Sequence, residues 1–542
     1  MPTESLIYLD CFTAIGRHTA ADALESWSVD HLLQEMARCH IHGALVYSHQ
    51  AREIHPTLGN PQISALCRQH PELAPCWIGL PHQTNEFFKP DALIKEMEAQ
   101  NVAALKLYPR IYEFPVDDRT LGPLLSALQE AGILLIMDAG RYEEAVQITW
   151  PEVAWICSTF PRLNLLLHSL RWEATRALAP LAVEFSNLYL EFSNYQGNRM
   201  LEYWCETIGH ERLLFGSEAP RRSQGAARSY IDYADLTHEQ KQAIAGGNLK
   251  RLLRRPDWPI MKERPAQDRI IASALKGEPI HHTPVIDSHA HITHAHGTGA
   301  SRVAMTASDA TAVVQRNRKL GVQQTCVSAW TAIWGDYEMG NLDTLQAMKV
   351  FPEEIIGYAS MDPSYVTDWQ KEIRFYHEEN GFLGLKPYHP MTRIPYDDPR
   401  YEPWYAYADQ RQLFVLWHYS DNFTAEVKKI APLYPGATFL LAHSGTSWKV
   451  ARQHVDLAKE FDNVTLEITF TSVIEGIIEF MVRELGSERV LYGSDAPMRD
   501  PYPQFGWVAF ADLTEQEKEN ILGLNMKKIL QRCKKAGRRS SR

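Results

Sequence analysis

An internal repeat is the feature of this sequence that most constrains its fold. The segment at residues 212–253, which begins RLLFGSEAP, is matched by residues 489–530, which begin RVLYGSDAP. Upstream of these segments, ALKLYPR in the first half corresponds to GLKPYHP in the second, and LLLHS corresponds to LLAHS. Because the matches follow the same order in both halves, the chain is predicted to contain two copies of one fold.

The repeat also sets the predicted domain boundaries. The first copy occupies residues 1–254 and the second occupies residues 284–532, while residues 255–283 are rich in Pro, Arg and Lys and are interpreted as a linker. Residues 533–542 form a short basic tail. A chain of 542 residues exceeds the roughly 250 to 300 residues that a single hydrophobic core supports, which agrees with two domains.

Each copy has the pattern of an α/β fold, in which short apolar runs alternate with amphipathic stretches. We count eight strand candidates in the second copy, from VIDSH to RVLYGSD, and eight in the first, from LIYLD to RLLFGSE. Eight strand and helix units fill about 250 residues, the size of a (β/α)8 barrel. An open doubly wound sheet would need a Gly-rich phosphate turn after its first strand, which neither copy has. The predicted fold is therefore two tandem (β/α)8 TIM-like barrels.

Charge and composition exclude several classes of partner. The formal net charge is −11 at pH 7, so the chain offers no positive field to a nucleic-acid backbone. No run approaches the roughly 18 to 20 apolar residues that span a bilayer, and the N-terminus lacks the pattern of a secretory leader. The eight cysteines form no CxxC pair and are interpreted as reduced thiols. We therefore expect a soluble, cytoplasmic protein whose partner is a small molecule.

Chemistry is expected at the strand ends of the second copy, because the C-terminal ends of barrel strands converge on one mouth. The first strand carries the HxH pair His289 and His291, whose spacing places both imidazoles on the same side. The ends of strands 4, 5, 6 and 8 carry the polar residues Lys386, His418, His443 and Asp495. A lone buried histidine is more often a hydrogen-bonded core residue, but polar residues at several matched strand ends predict a divalent metal site. Nitrogen and oxygen ligands of this kind suit Zn²⁺ best, with Mn²⁺, Fe²⁺ or Co²⁺ as alternatives.

This ordered pattern resembles the metal-dependent amidohydrolase superfamily and, within it, the amidohydrolase-related group, also called amidohydrolase 2. The resemblance covers residues 284–530 and rests on the HxH pair, the histidines after strands 5 and 6 and the GSDAP aspartate. It implies that one metal ion is held by four ligands, which are His289, His291, His418 and Asp495. It further implies that His443 lies beside the metal as the acid/base or water-orienting group.

The chemistry of a bound cation agrees with these roles. A cation held by neutral imidazoles lowers the pKa of its water toward about 7. Asp495 can take up the water's proton as general base, and His443 can polarise the scissile carbonyl or protonate a leaving group. In two-metal members of the superfamily a carbamylated strand-4 lysine bridges the ions, whereas in one-metal members it can bind a substrate carboxylate. We favour the one-metal interpretation of Lys386, because the resemblance is to the mononuclear branch.

Aromatic and basic side chains near the mouth suggest what the site binds. The candidate substrate-binding residues are Lys386, Tyr388, Arg393, Trp330 and Arg499. Arginine and lysine bind carboxylates, and aromatic walls suit flat or cyclic molecules. We therefore expect a small, flat or cyclic substrate that carries a carboxylate.

The first copy lacks most of this site. When the copies are aligned on their strand-1 aspartates, Phe12 and Ala14 stand where the second copy has its HxH pair. Asp138 replaces the strand-5 histidine and Glu218 replaces the strand-8 aspartate, whereas the strand-4 lysine and the strand-6 histidine are kept. We predict that the first barrel is catalytically inactive and pairs with the second as an intrachain pseudo-dimer, with further homo-oligomers left open.

The sequence leaves three functions open, in this order. The first is a metal-dependent hydrolase that cleaves a C–O or C–N bond of a lactone, ester or amide with a metal-activated water. The second is a metal-dependent non-oxidative decarboxylase, which would use the same ligands. The third is a non-catalytic metal- or ligand-binding scaffold, which fits the first copy alone but does not explain the intact residue set of the second.

Overall fold

The structure, a computed structural model, describes residues 5–19, 21–140, 146–295, 297, 299–300, 303–470 and 473–540. Contacts between Cα atoms divide the chain into two compact units, residues 1–266 with 302–304 and residues 267–301 with 305–542. The division between Ala266 and Gln267 falls inside the predicted linker at 255–283. Each unit contains one eight-stranded sheet.

The first unit is built on eight parallel strands that pair in sequence order. Cys11 in the first strand donates its backbone N–H to the carbonyl oxygen of Phe215, just after the last strand, at 3.0 Å. Ala14 likewise donates to Ala219 at 2.9 Å, so the sheet is nearly closed into a barrel. The strands are β1 (Leu9–Ile15), β2 (Gly43–Ser48), β3 (Leu73–Ile78), β4 (Ala104–Leu107), β5 (Leu134–Asp138), β6 (Leu165–His168), β7 (Leu188–Glu191) and β8 (Leu213–Leu214).

Helices follow the strands of the first barrel, and polar caps explain several of their ends. The Ser28 hydroxyl accepts the N–H of His31 at the start of the first helix. The fifth helix starts after Asp117 and ends at Gly132, whose positive φ of 65° suits glycine. The helices are α1 (Val29–Arg38), α2 (His49–Glu53), α3 (Pro56–Gln69), α4 (Pro90–Ala99), α5 (Asp118–Ala131), α6 (Trp150–Thr159), α7 (Thr175–Glu184), α8 (Met200–Ile208), α9 (Gln224–Asp232), α10 (His238–Gln242) and α11 (Asn248–Leu252).

The second unit repeats this architecture. Ser288 donates its backbone N–H to Tyr492 at 3.0 Å and Asp495 donates to the carbonyl oxygen of His289 at 2.8 Å, so the last strand returns to the first. The strands are β9 (Val285–Ile292), β10 (Gly299–Ala300), β11 (Val303–Ala304), β12 (Val322–Ala329), β13 (Ile355–Ala359), β14 (Gly384–Leu385), β15 (Phe414–Trp417), β16 (Thr438–Leu441), β17 (Val464–Glu467) and β18 (Val490–Leu491). β11 lies within residues 302–304, which are grouped with the first unit. The eight strands β9 and β12 to β18 form the second barrel in sequence order.

Helices again cover the outside of the second barrel, starting with a short helix before β9. They are α12 (Arg269–Ala274), α13 (Ala310–Arg318), α14 (Trp330–Trp334), α15 (Tyr337–Val350), α16 (Trp369–Ile373), α17 (His389–Thr392), α18 (Glu402–Arg411), α19 (Phe423–Ile430), α20 (Trp448–Glu460), α21 (Ile477–Leu485), α22 (Pro501–Ala509), α23 (Glu515–Glu519) and α24 (Asn525–Ser540). The fold class predicted from the repeat, two tandem (β/α)8 barrels, is thus confirmed.

Every predicted strand overlaps an observed one, and the clearest difference is at the first strand. The run LIYLD predicts a strand over residues 6–10, whereas β1 covers Leu9–Ile15. The strand continues past Asp10, whose carboxylate accepts hydrogen bonds from the Ser217 backbone N–H at 3.1 Å and from Gln224 at 2.9 Å. Because its hydrogen bonds are satisfied, the carboxylate is buried inside the strand.

The predicted linker has defined structure on both sides of the division. Trp258 belongs to the buried core cluster of the first barrel, and its indole N–H donates to the carbonyl oxygen of Glu72 at 3.0 Å. Asp268 caps α12 by accepting the N–H of Ile271 at 2.8 Å. α12 then packs against α22 and α23 of its own unit, which buries Ile270 and Ile271 completely.

The C-terminal segment extends a barrel helix. Helix α24 continues through Cys533, which is buried, as far as Ser540, so the described part of the predicted basic tail is helical. All eight cysteines are free and all except Cys205 are buried, which agrees with their interpretation as reduced thiols. Among the described residues, no helix combines the length and the apolar character needed to cross a membrane.

Candidate active site

The strand-1 histidines of the second barrel point to a common centre with a carboxylate. His289 and His291 lie near the end of β9 and are only 1% and 3% exposed. Asp495, in the loop after β18, brings its Oδ1 to 3.3 Å from His291 Nε2 and to 3.9 Å from His289 Nε2. Ligand atoms of these three residues all lie within 4.8 Å of one another, a spacing that a single metal ion can span.

The opposite nitrogens of the two imidazoles are held by acceptors. His291 Nδ1 donates to the carbonyl oxygen of Ser328 at 3.1 Å, and His289 Nδ1 lies 3.0 Å from Glu467 Oε2. A neutral imidazole carries one proton, so a hydrogen on Nδ1 leaves Nε2 with its lone pair. This is the arrangement that metal-ligating histidines adopt, with the second nitrogen bonded to a carbonyl or carboxylate.

His443 lies beside His289, with their ring centroids 5.1 Å apart. Its Nδ1 donates to the carbonyl oxygen of Thr469 at 2.7 Å, so the neutral ring has its lone pair on Nε2. Its φ of 60° lies in the left-handed region, which costs a non-glycine residue roughly 1 to 2 kcal/mol. The backbone N–H of His443 donates to Glu467 Oε2 at 3.3 Å and helps to hold this conformation. Such strain is typically kept at functional positions.

His418 follows β15 directly and completes a row of imidazoles at the mouth. Its ring centroid lies 4.7 Å from that of His443 and 5.4 Å from that of Tyr388. Its Nδ1 is buried and has no hydrogen-bond partner among the described residues. Burial lowers the pKa of His418 well below its usual range, so the ring is neutral. A buried, neutral imidazole with an unsatisfied nitrogen fits a metal ligand, although His418 lies outside the tightest groups of three ligand atoms found in the described chain.

Lys386 follows β14 and enters the same cluster. Its Nζ lies 3.0 Å from His289 Nε2, and the side chain is fully buried. Burial lowers the pKa of Lys386 to about 7, because the charged ammonium loses its hydration, while the carboxylates of Asp495 and Glu467 partly oppose this shift. The lysine is therefore a buried proton donor within the site.

Asp495 is ionised despite its burial. Burial alone would raise its pKa, but the positive charge of the Arg499 guanidinium opposes this effect, and the pKa lies well below its usual range. Arg499 Nη1 lies 3.3 Å from Asp495 Oδ2, on the side away from the histidines. Asp495 Oδ1 and His291 Nε2 both carry lone pairs, so a cation between them would stabilise their close approach.

Four of the five candidate substrate residues lie around this cluster. Trp330 is largely buried, with its ring centroid 6.1 Å from that of His291, and Tyr388 contacts His418 as described above. Lys386 contacts His289, and Arg499 contacts Asp495. Arg393 is instead exposed at the C-terminal end of α17, with a positive φ of 58°. Its position in the fold depends on a turn that the strand pattern did not predict.

The sequence patterns did not indicate two further residues of the site, Glu467 and Phe470, and Trp334 also lines it. Glu467 is the last residue of β17 and is fully buried beside His289. Trp334 packs on Trp330, with ring centroids 5.8 Å apart, and Phe470 packs on His443 at 5.4 Å. Glu467 had a visible signal, since a glutamate stands at the same place in LYLEF and VTLEIT, whereas loop aromatics carry no such pattern.

In the first barrel the corresponding space is filled by other groups. The Phe12 ring stacks on His168 with centroids 4.2 Å apart, and Lys106 Nζ lies 4.3 Å from the Phe12 ring centroid. Lys106 Nζ also lies 2.9 Å from Asp138 Oδ1. The ammonium thus supplies the positive charge that balances the buried carboxylate, and the phenyl ring occupies the place of an imidazole.

Arginine side chains lie beside other carboxylates and histidines of the first barrel. Glu218 lies 3.3 Å from Arg222 Nε. In the described part of the first barrel, ligand atoms within 4.8 Å of one another come from His18, His49 and Glu53 instead. Arg52 Nη1 lies 2.7 Å from His18 Nε2 and also bonds Glu53, so a guanidinium already provides the positive charge there.

The sequence was compared with protein-family models and with curated proteins. A protein-family model described as Amidohydrolase matches residues 62–255 and 286–532, more than half of the chain. The comparison with curated proteins found no match.

Several solved structures are similar to about half of the chain. A putative amidohydrolase from Staphylococcus aureus is 15% identical over 46% of this chain and 99% of its own, with a TM-score of 0.37. The 5-carboxyvanillate decarboxylase from Sphingomonas paucimobilis is 16% identical over 46% and 99%, with a TM-score of 0.36. The 4-oxalomesaconate hydratase from Rhodopseudomonas palustris is 15% identical over 47% and 98%, with a TM-score of 0.35. At such low identity, none of these activities is transferred to this chain.

Proposed function

Because the chain belongs to the amidohydrolase family, we propose that its second barrel is a metal-dependent hydrolase. The proposed reaction is cleavage of a C–O or C–N bond in a lactone, ester or amide of a small molecule that carries a carboxylate. The observation that carries the proposal is the convergence of His289 Nε2, His291 Nε2 and Asp495 Oδ1 on one point next to His443.

The residues present fit one divalent cation. Its proposed ligands are His289, His291, His418 and Asp495, a set of three nitrogens and one oxygen that suits Zn²⁺. The unsatisfied Nδ1 of His418 and the two Nε2 atoms facing Asp495 support this set. When bound, the cation supplies Lewis acidity, which polarises a substrate oxygen and acidifies a water molecule.

Two groups of the chain are placed to move protons. Asp495 is ionised and can accept a proton at Oδ1, while Arg499 holds its other oxygen. His443 donates its Nδ1–H to Thr469, so Nε2 is a proton acceptor first and can donate only after taking up a proton. Hydrolysis needs this order, because the attacking water gives up a proton before the leaving group receives one.

A second candidate is metal-dependent non-oxidative decarboxylation of an aromatic acid, and two observations favour it. Trp330, Trp334 and Tyr388 form an aromatic wall at the site, which suits a flat ring. Lys386 is a proton donor within the cluster, and decarboxylation needs a donor to protonate carbon. In either reaction a cation on His289 would displace the Lys386 ammonium. In the hydrolase the displaced ammonium would then bind the substrate carboxylate.

A substrate panel distinguishes these two reactions. Purified protein is stripped with a chelator, reloaded with Zn²⁺ or Mn²⁺, and offered lactones, esters, amides and aromatic carboxylic acids. Release of acid from a lactone, ester or amide, restored by metal, supports the hydrolase. Release of CO₂ without hydrolysis of any panel member would contradict it and favour the decarboxylase.

A further inference from the structure

Glu467 lies at the centre of the hydrogen bonds that hold the candidate site together. It is fully buried, and its carboxylate has partners on three segments of the chain. Oε2 faces His289 Nδ1 at 3.0 Å and accepts the backbone N–H of His443 at 3.3 Å. Oε1 accepts the backbone N–H of Thr469 at 2.7 Å and also its hydroxyl. The two backbone N–H groups and the hydroxyl are donors, which leaves an acceptor site on Oε2 for a proton on His289 Nδ1.

The contact on the far side of the His289 ring independently fixes its tautomer. Lys386 Nζ lies 3.0 Å from His289 Nε2, and in its charged form the lysine can only donate a hydrogen bond. His289 Nε2 is therefore the acceptor, and the single proton of the neutral ring lies on Nδ1. That proton points to Glu467 Oε2, in agreement with the hydrogen bonds counted above.

The last barrel strand leaves room for this carboxylate. At Gly493, just after β18, a Cβ atom would collide with the Glu467 carboxylate and would lie 2.9 Å from the Cβ of His289. A glycine is needed here because strand, carboxylate and imidazole pack in contact. The glycine of the GSDAP motif is thereby explained by packing around Glu467.

The first barrel shows the same glutamate without an imidazole. Glu191 is also fully buried at the end of its strand, and it accepts the Ser193 hydroxyl at 3.0 Å and the Ser169 N–H at 3.4 Å. Phe12 stands where the second barrel has His289. A buried glutamate that ties strands together is thus common to both barrels, and the contact with an imidazole belongs to the second.

We propose that Glu467 is a positioning residue for the metal site. It holds His289 in the tautomer that offers Nε2, and it fixes the backbone of His443 so that both rings serve one centre. The inference rests on the proposed function, because it takes His289 as a metal ligand.

The test is the variant Glu467→Gln. It keeps the shape of the side chain and one of its two oxygens, but it puts an NH₂ group in place of the other oxygen. Because an amide N–H cannot accept the Nδ1–H of His289, the ring is expected to change tautomer or turn away. We expect the Zn²⁺ affinity, measured by chelator competition, to fall by about 10- to 100-fold. Glu191→Gln in the first barrel is the matched control and should leave the affinity within a few-fold.

Two further measurements separate positioning from general stability. Thr469→Val removes a hydroxyl donor to Glu467 but leaves His289 untouched, so it should lower the melting temperature without a comparable loss of Zn²⁺ affinity. In ¹⁵N-histidine NMR of the metal-free wild-type protein at about pH 6, where the Lys386 ammonium is charged, His289 should carry its proton on Nδ1. Unchanged Zn²⁺ affinity in Glu467→Gln, or a proton on His289 Nε2, would overturn the inference. If the wild-type protein bound no metal, the proposed function would fail, while the NMR result would still decide the tautomer.

Discussion

At the scale of single residues, Asp495 combines a metal-facing oxygen with the position of a general base. We expect Asp495→Asn to lower kcat by at least about 10³-fold, because loss of a general base typically costs 10² to 10⁴ and loss of a ligand adds to this. Folding should be intact, as judged by circular dichroism. The matched change Glu218→Gln in the first barrel should leave the rate within a few-fold. A near-normal rate in Asp495→Asn would show that this carboxylate only supports the strand end.

The buried ion pair of the first barrel gives a second prediction. Lys106 is fully buried and Asp138 nearly so, and their charged atoms lie 2.9 Å apart. Removing one partner leaves an uncompensated buried charge, so Lys106→Met and Asp138→Leu should each lower the free energy of unfolding by about 3 to 5 kcal/mol.

The double variant checks this interpretation of the pair. If the two charges compensate each other, Lys106→Met combined with Asp138→Leu should cost clearly less than the sum of the single changes. Chemical denaturation of the full chain measures all four proteins. Additive effects would mean that the two side chains do not act as a pair.

At the scale of elements, His377 links the π-helical turn Arg374–Glu379 to α18 and makes stability depend on pH. Its Nδ1 donates to Phe382 at 2.8 Å and its Nε2 accepts the indole N–H of Trp404 at 2.9 Å, so the ring is neutral. Burial, together with the charge of Arg411, lowers the pKa of His377 to about 4.

Acid is expected to destabilise the folded protein through His377, because the folded and unfolded chains bind its proton at different pH values. The unfolded chain takes up the proton near its ordinary pKa of about 6.5, before the folded protein does, so acid favours unfolding. This residue alone should lower the free energy of unfolding by about 3 kcal/mol as the pH falls from about 6.5 to about 4. His377→Gln, which can keep both hydrogen bonds, should reduce that dependence in thermal unfolding scans. An identical pH dependence in wild type and variant would contradict the assignment.

The strands could be predicted because each combines an apolar run with a polar end, repeated in two copies. Their ends were harder to place, as β1 shows, because the buried Asp10 carboxylate needs partners more than 200 residues away, Ser217 and Gln224, to satisfy its hydrogen bonds. The histidines and Asp495 were visible because polar residues end otherwise apolar strands. Glu467 was visible only in the repeat, and the position of Phe470 depends on a loop conformation that no periodicity encodes.

At the scale of the whole molecule, the pairing of the two barrels stays a prediction from the repeat. A barrel that has lost its histidine pair is expected to keep its fold if it supports its partner. Residues 267–542, which include α12, should therefore give a fragment that is unstable, poorly soluble or self-associating when expressed alone. Light scattering measures the self-association of the fragment, and thermal unfolding measures its stability. A soluble, monomeric and fully active fragment would instead assign the first barrel a separate role.

Elemental analysis of the purified full chain measures whether one metal site lies in the second barrel. We predict about one equivalent of divalent metal in the wild-type protein. The double variant His289→Ala with His291→Ala should lose it, whereas His168→Ala in the first barrel should keep it. Retention of a full equivalent of metal by the double variant would show that His289 and His291 do not hold it.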